Sequence, residues 1–144
     1  MDNRLQTYRE VNVKTMNRGK IVVMLFSGAV TFLTKAKLYA EKEDFYNKGL
    51  FINKAQNIID ELNYSLDMER GQDIAKNLRS VYVFLGRYLS DANKSNDPDM
   101  LDRAISIIET LKSAFEEVVD NPQYADAQAV NRKEMAQHAI RRFV

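Results

Sequence analysis

Apolar residues recur at steps of three and four through most of this chain, the spacing of helices that each bury one face. From Ile21 the series runs through Leu25, Gly28, Phe32, Ala36 and Tyr39. Asp44 is the expected N-cap of a second segment, in which Phe51, Ala55, Ile58, Ile59, Leu62 and Leu66 repeat the spacing. Arg70-Gly71 reads as the next break, since glycine takes the left-handed conformation that ends helices. Ile74, Leu78, Val81, Tyr82, Leu85 and Leu89 form a third stripe. Asp97-Pro98 then pairs a capping carboxylate with a proline at the first helical turn, where no N–H is needed. Leu101, Ile105, Ile108, Leu111, Phe115 and Val118 make the fourth stripe. Asn121-Pro122 closes it, because the residue before proline avoids the α region.

Four long segments joined by short turns predict an all-α fold, an antiparallel up-down four-helix bundle. Two prolines and five glycines in 144 residues exclude a many-turned β design, and the length is that of one domain. The expected organisation is a single domain over 1–144. It divides into an N-terminal cap segment (1–18), a four-helix core (19–120) and a C-terminal helical tail (122–144). In the tail Ala129, Met135 or Ala136, Ala139, Ile140 and Phe143 form a weaker fifth stripe. That stripe suits a fifth helix that docks on the bundle, swaps to a neighbour or forms on binding.

Charge and composition exclude several classes of function. Basic and acidic residues number 21 and 20, so nucleic acid is not the expected partner. By region the charge is +3 over residues 1–20, −4 over 21–120 and +2 over 121–144. The longest unbroken apolar run, Ile21 to Phe26, has six residues against the roughly 18–20 of a membrane span, so no membrane insertion is expected. The first 20 residues carry Arg4, Arg9, Lys14, Arg18 and Lys20 without an apolar core, which is not a secretory signal. With no cysteine there is neither disulfide nor thiolate chemistry and the compartment is left open, so a cytoplasmic protein is the default expectation.

Catalytic constellations are missing too. The glycines at 19, 28, 49, 71 and 86 form no phosphate loop. A single histidine, His138, cannot supply the paired Glu-x-x-His motifs of a di-iron bundle; with Glu134 it makes a surface pair. Asp97, Asp99 and Asp102 lack the glycine and closing glutamate of a calcium loop and read as capping and dipole-complementing charges. Asn63-Tyr64-Ser65 fits a glycosylation pattern but lies inside a helical stripe. No enzyme, metal or cofactor is expected.

Ser27-Gly28-Ala29 is more informative, because it puts a narrow waist between Met24-Leu25-Phe26 and Phe32-Leu33. Glycine within a helix costs about 1 kcal/mol against alanine, so something approaches closely there. Two readings fit: a neighbouring helix of the bundle, or a groove that receives a partner's helix.

Short motifs at Tyr8 to Thr15, Met24 to Val30, Lys54 to Leu62, Leu66 to Tyr82 and Ala92 to Asp97 follow one another in order. On them the chain, from Tyr8 to Phe115, resembles the flagellar secretion chaperones of the FliS family. Tyr8, Val13 and Thr15 resemble the family's N-terminal tyrosine and its valine–threonine entry to the first helix. Met24-Leu25-Phe26-Ser27-Gly28-Ala29-Val30 is similar to the Met-Leu-Tyr-Asp-Gly-Ala-Ile signature. Lys54-Ala55-Gln56-Asn57-Ile58-Ile59-Asp60-Glu61-Leu62 resembles the Lys-Ala-x-x-Ile-Ile-x-x-Leu run. Leu66-Asp67, Glu69 and Gly71, then Ile74-Ala75, Asn77-Leu78 and Tyr82, resemble the turn and third helix, with Ala92-Asn93 and Asn96-Asp97 at its end. The chain departs from the pattern at Thr15-Met16-Asn17-Arg18, which lacks the usual proline. It departs again at Phe26-Ser27 in place of tyrosine–aspartate, and at Phe115 in place of a late tryptophan.

The resemblance implies a non-enzymatic chaperone that binds the disordered C-terminal segment of flagellin, prevents premature polymerisation and docks on the cytoplasmic domain of the export gate. It implies a client groove with Tyr8 as a displaceable lid and Leu25, Gly28 and Ala29 as floor. Ile52, Ala55, Ile59 and Leu62 would flank it from the second helix, and Asn77, Leu78 and Tyr82 from the third. Asn77 stands out among these because a buried amide needs a partner. A homodimer is a candidate state of the client-free chain. The alternative is a helical adaptor or a self-associating regulatory bundle.

Overall fold

The computed structural model describes residues 18–119 of the chain. Within them lie four helices: α1 (Arg18–Glu41), α2 (Phe45–Tyr64), α3 (Met68–Lys94) and α4 (Pro98–Val119). The expected lid residue Tyr8, residues 1–17 of the expected cap segment 1–18 and the tail stripe lie outside the described residues, as does Asn121-Pro122.

The connections are short and capped. The Asp44 carboxylate accepts from the Asn47 N–H at 3.2 Å and from the Asn47 side-chain amide at 2.7 Å, which starts α2. Asp97 accepts from the Asp99 N–H at 3.0 Å at the head of α4, with Pro98 as its first residue. The break expected at Arg70-Gly71 falls earlier, at Ser65–Asp67. Asp67 takes the N–H groups of Glu69 and Arg70, at 3.2 and 3.0 Å, so its carboxylate begins α3 before the glycine is reached. The glycine region is instead a kink inside α3, where Gln72 holds φ 45° and ψ −122°.

Three helix pairs have contacts in which residue numbers rise on one helix as they fall on the other. Gly28 lies against Ile58, and Tyr39 against Phe51, between α1 and α2. Lys48 reaches Ser95 and Gln56 reaches Gly86 between α2 and α3. Phe26 meets Phe115, and Lys37 meets Asp102, between α1 and α4. These neighbours therefore run in opposite directions. α1 packs against α2 and α4, and α3 packs against α2 and more thinly against α4.

The core is built from Phe26, Ala29, Leu33 and Ala36 of α1, and from Ile52, Ala55, Ile59 and Leu62 of α2. Leu78, Tyr82, Leu85 and Leu89 of α3, with Leu101, Ala104, Ile108 and Leu111 of α4, complete it. The stripes expected for α2, α3 and α4 lie on or beside this face. On α1 the expected stripe is displaced: Leu25, Gly28, Phe32 and Tyr39 are only half-buried, and Phe26, Ala29 and Leu33 take the centre. α1 is apolar on nearly every side, so periodicity alone could not choose its inward face. Averaging also corrects the run-length reading above. Gly19–Glu41 contains a window of mean hydropathy 1.6, enough by length and composition to cross a membrane, although in this fold α1 is a bundle helix between α2 and α4. Phe26 and Phe115, two of the departures from the family pattern, pack on each other with ring centroids 5.7 Å apart.

Candidate functional site

Leu25, Gly28, Phe32, Lys35 and Tyr39 recur at steps of three and four, so they share one flank of α1, and their contacts turn that flank toward α2. Phe51, Lys54 and Ile58 form the matching flank of α2. A Cβ built on Gly28 would stand 3.2 Å from Ile58 Cδ1. The waist at Gly28 therefore serves close approach of the two helices, the first of the two readings given above.

One turn further along, the seam opens into an aromatic surface. The Tyr39 ring stacks on Phe51 at 5.5 Å with 11° between planes, and Phe32 lies 6.1 Å from the same ring. Lys54 Nζ sits 5.0 Å from the Phe51 centroid and 5.6 Å from that of Phe32; Lys35 Nζ is 5.5 Å from Phe51. The three rings are half-buried and both lysines are exposed. An ammonium over an aromatic face contributes about 0.5–1 kcal/mol at exposed sites. The surface is thus an apolar track with a cationic rim, suited to the apolar face of an amphipathic segment whose polar edge carries carboxylates.

The residues expected to line a client groove divide into three groups. Leu25 and Gly28 lie on the seam, half-buried. Ala29, Ile52, Ala55, Ile59, Leu62, Leu78 and Tyr82 are between 0% and 6% exposed and share one core cluster, so they hold the helices together behind the surface. Asn77 is exposed on α3, not the buried amide expected. The phenol of Tyr82 is pushed well above its ordinary range by burial, which keeps it neutral in the folded chain.

Sequence reasoning placed Phe32, Tyr39 and Phe51 in stripes without marking them as surface; it named Lys54 only as part of a family motif and passed over Lys35. The available signal was Phe32 and Tyr39 seven apart with a lysine between them, since that spacing repeats the same helix face every two turns. Lys48 was missed altogether. It is 2% exposed, and its ammonium donates to the backbone carbonyls of Ser95 and Asn93. Burial lowers its pKa from the ordinary value.

Elsewhere the surface carries further apolar side chains. Leu38, Phe45, Tyr46 and Leu50 are exposed near the α1–α2 turn, and Val83 and Phe84 are exposed on α3. Among the described residues no cluster of histidine and carboxylate side chains could hold a metal ion.

A family model described as "Flagellar protein FliS" matches residues 1–122. The chain is 39% identical to the flagellar secretion chaperone FliS of Vibrio cholerae, over 86% of this chain and 93% of that protein. It is 30% identical to the flagellar secretion chaperone FliS of Salmonella typhimurium, over 85% of this chain and 95% of that protein. With the Bacillus subtilis flagellar secretion chaperone FliS it shares 28% identity, over 84% and 90% respectively.

Proposed function

The chain belongs to the FliS family of flagellar proteins, and from that premise we propose that it binds the disordered C-terminal segment of flagellin in the cytoplasm. Binding would cover the polymerisation surface of the client, and the complex would then dock on the cytoplasmic domain of the export gate. The relatives are flagellar secretion chaperones, and the family is one of chaperones rather than enzymes.

The observation that carries the binding mode is the seam built by Phe32, Tyr39 and Phe51 beneath Lys35 and Lys54. A disordered amphipathic segment gains order by laying its apolar face on such a track, and its carboxylates meet the lysines at the rim. Ordering offsets about 2–5 kcal/mol of the gross interaction, which keeps the complex releasable at the gate. Leu25 and Gly28 extend the track toward the start of α1. The buried residues Ala29, Ile52, Ala55, Ile59, Leu62, Leu78 and Tyr82 support it from beneath. Asn77 and Tyr8 would meet the client at the edges, Tyr8 as a lid displaced on binding.

Calorimetric titration with a peptide covering about the last 40 residues of the organism's own flagellin tests this reading. Submicromolar one-to-one binding with a large negative heat-capacity change is the expected result. An absence of binding, both for the full chain and without residues 1–18, would overturn it in favour of a helical adaptor or a self-associating bundle.

A further inference from the structure

Asp73, Lys76, Arg87, Asp91 and Lys94 lie on the exposed outer face of α3, away from the buried Leu78, Leu85 and Leu89. Ser80 and Phe84 fill the same stripe between Lys76 and Arg87 at steps of three and four, with Val83 beside Phe84. Val83 and Phe84 are 40% and 48% exposed, and the Phe84 ring is held by stacking on Tyr88 at 5.6 Å. None of the five charged side chains forms an ion pair among the described residues.

The order of this stripe is complementary to itself. Turned end for end about the midpoint between Val83 and Phe84, it sets Asp73 against Lys94, Lys76 against Asp91, Ser80 against Arg87 and Val83 against Phe84. The stretch from Asp73 to Lys94 begins just past the kink at Gln72, is helical throughout and is about 32 Å long.

We propose that two copies of this chain associate through this face as a two-fold symmetric dimer, α3 running antiparallel to α3. The symmetry makes each contact twice, so Lys76 of each copy meets Asp91 of the other, and Asp73 of each meets Lys94. Val83 and Phe84 of both copies close the apolar centre between these charges. A parallel pairing would instead set Asp73, Lys76, Arg87, Asp91 and Lys94 each beside its own copy, so like charges oppose it along the whole stripe. Charge thereby selects one orientation and one register.

A single pair of helices buries less than the roughly 1,200–2,000 Å² of a standard stable interface, so the dimer is weak and reversible. α1 packs against α2 and α4, which leaves the α1–α2 seam on the far side of the bundle from this face. Both seams of the dimer therefore stay open, and association through α3 is independent of any flagellin client.

Sedimentation equilibrium of the full chain without client, over a concentration series at low and high salt, tests the proposal. The expected result is a monomer–dimer equilibrium that shifts toward monomer as salt screens the pairs. Lys76→Glu alone and Asp91→Lys alone each turn two attractions into like-charge contacts, and each should raise the dimer Kd about tenfold or more. An equimolar mixture of the two variants should recover the dimer, because in the mixed pair every position 76 again faces an opposite charge at position 91. Neither variant can repair the other's fold, so that recovery separates a lost interface from lost folding. A monomer at every concentration, a dimer indifferent to either reversal, or a mixture no tighter than its components would overturn the proposal.

Discussion

The Lys48 ammonium, one turn into α2, donates to the backbone carbonyl of Ser95 just past the end of α3. Its second acceptor is the Asn93 carbonyl at 3.5 Å, and Phe45 lies 5.8 Å from the charge. The last carbonyls of a helix have no partners within it and carry partial negative charge, so a cation is favoured there. This contact offsets the cost of burying the ammonium and ties the start of α2 to the α3–α4 turn. Lys48→Ala is expected to lower stability by about 1–3 kcal/mol. Denaturant unfolding measures that loss, and hydrogen exchange should place the first loss of protection at Ser95–Met100. Unchanged protection in that turn would remove Lys48 from this role.

Positions 71 and 72 predict opposite outcomes on adjacent residues. Gln72 holds φ 45° with ψ −122°, a conformation that side-chain-bearing residues adopt at a cost of about 1–3 kcal/mol. Gln72→Gly relieves it and should raise stability by about 1 kcal/mol after the entropy of the added glycine is subtracted. Gly71→Ala should destabilise, because the new Cβ would stand 2.7 Å from Ala75 Cβ. Thermal melts of both variants test the pair of signs.

Phe51 and Ala29 separate surface from support. Phe51 is half-buried on the seam beneath two lysines, while Ala29 is fully buried. Phe51→Ala should weaken flagellin-peptide binding about tenfold or more while the chain stays folded. Ala29→Trp should lose stability and affinity together, since overpacking a filled core costs about 1–3 kcal/mol or more. Calorimetry beside denaturant titration checks both. A large stability loss with intact affinity in Phe51→Ala would move that residue into the supporting core.

Alkaline pH should expose Tyr82. Its folded pKa is raised above the ordinary 10.0 by burial, so above that pH the unfolded chain has released a proton that the folded chain retains. The contribution is full below pH 10.0 and declines as pH rises past it. Stability should therefore fall with pH in that window, and Tyr82→Phe should flatten the slope. Equal slopes in denaturant titrations of the two proteins would rule out Tyr82 as the source.

Much of the fold was legible in the residues. The stripes of α2, α3 and α4 marked their core faces because charged residues occupy the opposite sides. Asp44 and Asp97 announced their helix starts through local chemistry that needs only neighbours in sequence. The Gly71 signal marks a real interruption, at the non-helical Gln72, but two local signals competed for the start of α3. The Asp67 carboxylate satisfied the first N–H groups of α3 and prevailed, leaving the kink at Gln72.

The candidate site was less legible. The waist at Gly28 marks a close approach of α1 and α2, but most residues assigned to the groove lie in the core. Surface and core alternate within the same apolar stripe, and which member faces solvent depends on where the neighbouring helix lies.

The sequence by itself determined that this chain makes four helices, where two of them begin and which family it belongs to. These follow from spacing, caps and short motifs, all of which act within a few turns. Only the tertiary structure decided which side of the mostly apolar α1 faces inward. It also decided that Phe51 gathers two rings and two lysines, and that Lys48 is buried on carbonyls 45 and 47 positions away. The physical reason is common to all three: burial and ion placement depend on distances between helices, and those distances exist only once the helices pack.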